Sequence, residues 1–98
     1  MTVPAWLVLE RAASLVPRGA PVVVRTEPAD PATDFYLHRF AVALLPGRRI
    51  LPAALWGVAT DPAGLVEADY EVIVGKRPPS PPGSLLLELP EGTVWKRP

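Results

Sequence analysis

Fourteen prolines fall within 98 residues, and their positions govern what this chain can become. Proline has no backbone donor and a fixed φ, so it is excluded from helix interiors and from the centre of a sheet. Regular elements therefore meet proline only in the first turn of a helix or at the end or edge of a strand. The chain also lacks cysteine, which removes disulfides, thiolate nucleophiles and cysteine metal sites together. Half the residues are apolar and a fifth are charged, so the sequence can build one small core but not two.

Between the breaks the pattern is regular. Thr2 can cap a helix through Val16, with Pro4 tolerated in its first turn. Trp6, Val8, Leu9, Ala12, Ala13, Leu15 and Val16 share one broad arc of that helix, and only Leu7 is out of place. Pro17-Arg18-Gly19-Ala20-Pro21 ends it. Val22-Val23-Val24 then reads as a strand buried on both faces. Asp30-Pro31 is an acidic N-cap followed by proline at the first helical position, and Pro46-Gly47 stops the helix after Leu45. Arg48 to Leu51 and Tyr70 to Val74 are strands. Pro52 to Val66 is ambiguous, and Asp61-Pro62 could open one helical turn. Lys76 to Ser84, with four prolines, is a loop. Leu85–Leu89 and Thr93–Lys96 form a hairpin across Pro90-Glu91-Gly92, with the glycine suited to a bulge.

This order predicts a single α/β domain over residues 1–98. It has a small mixed sheet with parallel, Rossmann-like strands, packed helices and a C-terminal antiparallel β-hairpin at the edge. The Val22–Val24 strand should lie between the Arg48–Leu51 and Tyr70–Val74 strands, linked by a right-handed crossover.

Composition also speaks to habitat and class. The chain has no asparagine, no glutamine, one methionine, and eight arginines against two lysines. Loss of the heat-labile amides together with proline-rich loops implies a heat-resistant domain from a thermophile. No apolar run is long enough to span a bilayer, and the N-terminus lacks a basic segment and a small-residue cleavage site. A cytoplasmic protein with no direct membrane insertion is the expectation. Formal charge is zero and the pI is near 6.6, which argues against binding nucleic acid through bulk charge. Arg48-Arg49, Lys76-Arg77 and Lys96-Arg97 would have to converge away from acids, and Glu88 and Glu91 share the hairpin with the last pair.

The order of residues resembles a known group. Pro17, Gly19, Ala20 and Pro21 precede Val22 to Val24; Asp34, Tyr36, Arg39 and Phe40 stand in the helix. Leu44, Pro46, Arg48, Arg49 and Ile50 follow, then Ala68, Asp69, Tyr70 and Val72, and finally Gly92, Trp95, Lys96 and Arg97. This is similar to the soluble domain attached to uncharacterised bacterial polytopic membrane proteins, including glycosyltransferase-like ones. Leu45 departs from the usual tyrosine, and Gly47 is inserted before the arginines. The resemblance implies a stand-alone relative whose membrane partner is another polypeptide. It supplies no catalytic residue.

Chemistry-bearing groups are few. His38, the only histidine, has Asp34 one turn before it, a spacing that suits an ordinary surface pair better than a general base with its orienting acid. No metal-ligand spacing occurs, and no cofactor is expected. At the carboxyl ends of the parallel strands, where α/β sheets bind ligands, Glu27, Asp30, Lys76 and Arg77 could hold a small polar molecule. The first of those loops has no glycine and carries acids, which disfavours phosphate. The helix from Pro31 offers more. Tyr36, Leu37, Phe40, Ala43 and Leu44 make one apolar face, assigned to the sheet. Phe35, Val42 and Leu45 lie opposite, among Asp34, His38 and Arg39. A helix apolar on both sides is covered on both sides. The reading is a non-enzymatic interaction domain, self-associating as a homodimer through Phe35, His38, Val42 and Leu45 or docking on another protein. The alternatives are a small-ligand module at the strand ends and an accessory to a membrane glycosyltransferase-like protein.

Overall fold

The computed structural model describes residues 3–52, 54–55, 58–59 and 68–98. Its elements are α1 (Val3–Ala12), β1 (Pro21–Glu27), α2 (Pro31–Leu44), β2 (Arg49–Pro52), β3 (Ala54–Leu55), β4 (Val58–Ala59), β5 (Tyr70–Gly75), β6 (Ser84–Leu89) and β7 (Gly92–Lys96). Five strands form one mixed sheet in the order β2-β1-β5-β7-β6, and β3 pairs with β4 in a separate two-stranded ladder. β1 runs parallel to β2 and β5, while β7 is antiparallel to both β5 and β6. The α/β class is as the sequence predicts, with β1 between β2 and β5. The middle strand of the five is β5. The cap and the helical turn expected at Thr2 and at Asp61-Pro62 lie outside the described residues.

Both helices cover one face of the sheet, α2 over β1 and β2, α1 over β5 and β7. Val8, Leu9, Ala12 and Val16 meet Val22, Val24, Tyr70, Val72 and Val94, with Leu37, Ala41 and Leu45 from α2 and its cap. The opposite face is also buried: Val23, Ile73, Thr93 and Trp95 are at most 1% exposed. That explains the unbroken valine run in β1, since alternate side chains enter two different dry layers.

On this second face the pleat also places charges. Arg25 Nε donates to Glu71 at 3.0 Å and its Nη1 to Glu27 at 3.1 Å, with Arg97 4.0 Å from Glu71. Glu71 is buried, so its charge is held by the two guanidiniums rather than by water. Trp95 donates its indole N–H to Thr93 Oγ1 at 2.7 Å, and the Arg77 guanidinium lies 5.5 Å from the ring centre.

The start of α2 follows its sequence signal, whereas α1 ends at Ala12, short of the expected Val16, and the chain continues in turns. Asp30 caps α2, accepting from the Thr33 N–H, with Pro31 in the first turn. Arg48 serves the other ends. Its guanidinium donates to the carbonyls of Ala13 and Val16, in the turn after α1, and of Pro46, just past α2. Cationic donors at helix carboxyl termini satisfy carbonyls left without partners and oppose the negative dipole end.

The hairpin differs in detail from the expectation. Its bulge lies within β6, where the register slips between Leu85 and Leu87, and the glycine has another function. A Cβ on Gly92 would stand 2.2 Å from the Ile73 carbonyl oxygen, so glycine is required by close approach of β5. Among the described residues, no helix is long and apolar enough to cross a membrane.

Candidate functional site

The carboxyl ends of β1 and β5 are stitched together. Glu27 and Gly75 are register partners, Lys76 N–H donates to the Glu27 carbonyl at 2.8 Å, and Gly75 N–H donates to Glu91 at 2.7 Å. Gly75 has φ +113°, and a Cβ there would stand 2.3 Å from the Glu27 oxygen. The four residues expected there go to different partners. Glu27 pairs with Arg25, and Asp30 bonds to Thr33. Arg77 lies over Trp95 and 3.5 Å from Glu88, and Lys76 is exposed beside Gly75.

Asp34 and His38 do not meet as a pair. Asp34 is buried and turns toward β1, where its Oδ1 accepts from Thr26 N–H at 2.6 Å and Thr26 Oγ1 at 2.8 Å. The Thr26 hydroxyl in turn accepts from Asp30 N–H at 2.8 Å. This relay ties the β1–α2 loop to the first turns of the helix. His38 Nε2–H donates to the Ile50 carbonyl at 3.2 Å, fastening α2 to β2. Both residues are fixtures of the fold.

Burial raises the Asp34 carboxyl above its ordinary range, outweighing the two bonds from Thr26 that lower it; the exposed Asp30 is lowered, chiefly by its bond with the Thr33 side chain. A raised carboxylate pKa means that the native state binds the proton more readily than the unfolded chain. Stability from this group is therefore fully present below the unfolded value and falls as pH rises through the native one. Asp34→Asn keeps an oxygen for Thr26 and removes the charge. It should match or exceed wild-type stability at neutral pH and lose that advantage as the pH falls toward the ordinary carboxylate range. Asp34→Ala leaves the Thr26 donors without a partner and should cost about 1–3 kcal/mol. Urea unfolding of the two variants between neutral and acid pH checks both signs, and equal losses for Asn and Ala would refute the relay.

The remaining candidate is α2. Its buried face is Asp34, Leu37 and Ala41, continued by Leu45, and its exposed arc carries Tyr36, Phe40, Val42 and Ala43. The two faces assigned from the sequence are thus corrected. Tyr36 and Phe40 do not meet the sheet, being 61% and 38% exposed, and Leu45, 1% exposed, belongs to the chain's own core. The reason is that α2 is apolar almost all round, so periodicity gives no single inward direction. The inward side is marked by Ala41, which is fully buried in one cluster with Leu37, Leu45 and the β1 valines. Of the residues proposed for an interface, Val42 is 54% exposed and Phe35 and His38 are half-buried. Phe35 packs edge-on to Tyr36, ring centres 6.0 Å apart, and the Arg39 guanidinium lies 5.7 Å from its centre.

Neither a family model, nor a curated protein, nor a solved structure matches this chain. The functional argument therefore rests on the residues themselves. Among the described residues no three histidine, aspartate or glutamate side chains gather as a metal site would require.

Proposed function

We propose that the protein is a non-catalytic interaction domain that self-associates through the outer face of α2. The observation that carries this reading is the exposure of Tyr36, Phe40 and Val42 on one helix whose inner face already fills the core. Aromatic side chains set among small apolar residues are what the centres of protein interfaces are made of. The occupant we assign is a second copy of the chain. Arg39 is the one charged side chain on this arc, and the whole chain has zero formal charge, so two copies meet without net repulsion. A two-fold arrangement covers both patches with one contact.

Covering a large apolar side chain stabilises by roughly 1.5–3 kcal/mol, so one charge at the centre should weaken the dimer by at least about tenfold. Light scattering across a concentration series is expected to give a dimer for the wild type and a monomer for Tyr36→Glu and Phe40→Glu. Thermal unfolding of the two variants, followed as monomers, should show the fold intact. A wild type that stays monomeric at every concentration, or variants that remain dimeric, overturns the proposal.

A further inference from the structure

The two edge strands of the sheet differ in how they are guarded. β2 is short and ends in Pro52, which lacks an N–H for pairing. β6 forms the other edge. Among the described residues it pairs with β7 alone, so one row of its backbone N–H and C=O groups faces away from the sheet. Its sequence, Ser84-Leu85-Leu86-Leu87-Glu88-Leu89, holds no proline, lysine or arginine, the residues that usually guard an edge. Ser84, Leu85, Leu86 and Glu88 are exposed, while Leu87 and Leu89 pack against the core. Leu85 stands opposite Trp95 and Leu87 opposite Val94, which belong to different faces of the sheet. Apolar side chains therefore flank the open ladder on both faces, where one more strand would cover them.

We propose that β6 receives an extended segment of another protein as an added strand, antiparallel to it. The bulge and the charges define this occupant. The register slip between Leu85 and Leu87 bends β6 and increases its twist. Two copies of the same folded edge would have to match each other's bend, whereas an unfolded segment follows it. Direction comes from charge. Glu88 and Glu91 stand at the carboxyl end of β6, and Lys96 is the register partner of Ser84 at its amino end. Glu88 already has Arg77 at 3.5 Å, which leaves Glu91 and Lys96 to set the direction. An antiparallel guest begins beside the acids and ends beside the lysine. The segment that fits is apolar and β-branched through its middle, basic at its amino end and acidic at its carboxyl end. β6 and β2 lie at opposite ends of the strand order, and α2 packs over β1 and β2, so this inference is independent of the α2 contact.

The test is fluorescence anisotropy of a labelled heptapeptide of alternating valine and threonine, with lysine at its amino end and glutamate at its carboxyl end, titrated with the full chain. It should bind at least about threefold tighter than the peptide with the two charges exchanged. Of its two alternately N-methylated forms, the one that loses the N–H groups facing β6 should bind at least about tenfold more weakly, and the other should lose much less. The double variant Glu91→Lys, Lys96→Glu should invert the charge preference. Tyr36→Glu should bind the peptide as the wild type does. Four results overturn the proposal. They are no binding at millimolar peptide, equal losses for the two methylated forms, loss of binding on Tyr36→Glu, which would put the peptide on α2, and growth of the wild type beyond a dimer that Leu86→Lys arrests, which would put a second copy on the edge.

Discussion

Val23→Asp is expected to leave the chain unfolded at room temperature, with far-ultraviolet circular dichroism lacking strand and helix signals. Val23 has no exposed surface, and its strand is paired on both sides. It pairs in register with Leu51 of β2 and Glu71 of β5. A carboxylate there would lose its hydration beside buried Glu71, which already takes the Arg25 and Arg97 guanidiniums of that face, so two like charges would compete for one set of cations. A buried charge left without full compensation costs an amount comparable to the roughly 5–15 kcal/mol by which small domains are stable. Val23→Ala, which only opens a small cavity, should remain folded. A folded Val23→Asp protein would mean that this face of the sheet is open to water.

The second large effect should come from Trp95→Ala. Trp95 is 1% exposed and is the largest fully buried side chain among those described. It stands on β7 opposite Glu71 and Leu85, sealing the face that carries Val23 and Ile73. Truncation to alanine should cost about 3–5 kcal/mol, through lost transfer energy and the cavity that remains. With a urea slope of about 1–3 kcal/mol/M, the midpoint should fall by more than about 1 M. Arg77→Ala removes only the guanidinium above the ring, at a half-exposed position, and should cost no more than about 1 kcal/mol. If the two variants lost the same amount, the ring would be acting through its cationic neighbour and not through its volume.

Proline punctuation made most of the architecture readable. Asp30-Pro31 starts α2 where its capping chemistry says, and the valine run of β1 lies in the interior of the sheet. What the residues could not declare is direction. Along α2 the apolar positions nearly encircle the axis, so Tyr36 and Phe40 looked as fit for the core as Leu37 and Leu45. The packed cluster of Leu37, Ala41 and Leu45 with the sheet decides between them. Asp34 and His38, four apart, looked like partners, but each has a stronger partner contributed by a strand, Thr26 and Ile50.

The position of β7 bears on the order in which the molecule can form. β6 joins the sheet only through β7, and α1 packs on β5 and β7. α1 thus lacks half its docking surface until β7 is paired. Loop closure of the span between them must precede the contacts that reward it. β1, α2 and β2 can assemble locally, whereas α1 and β6 both wait for the same strand. Docking of α1 is therefore expected to be a late step in folding, set in motion by the pairing of Thr93, Val94 and Trp95.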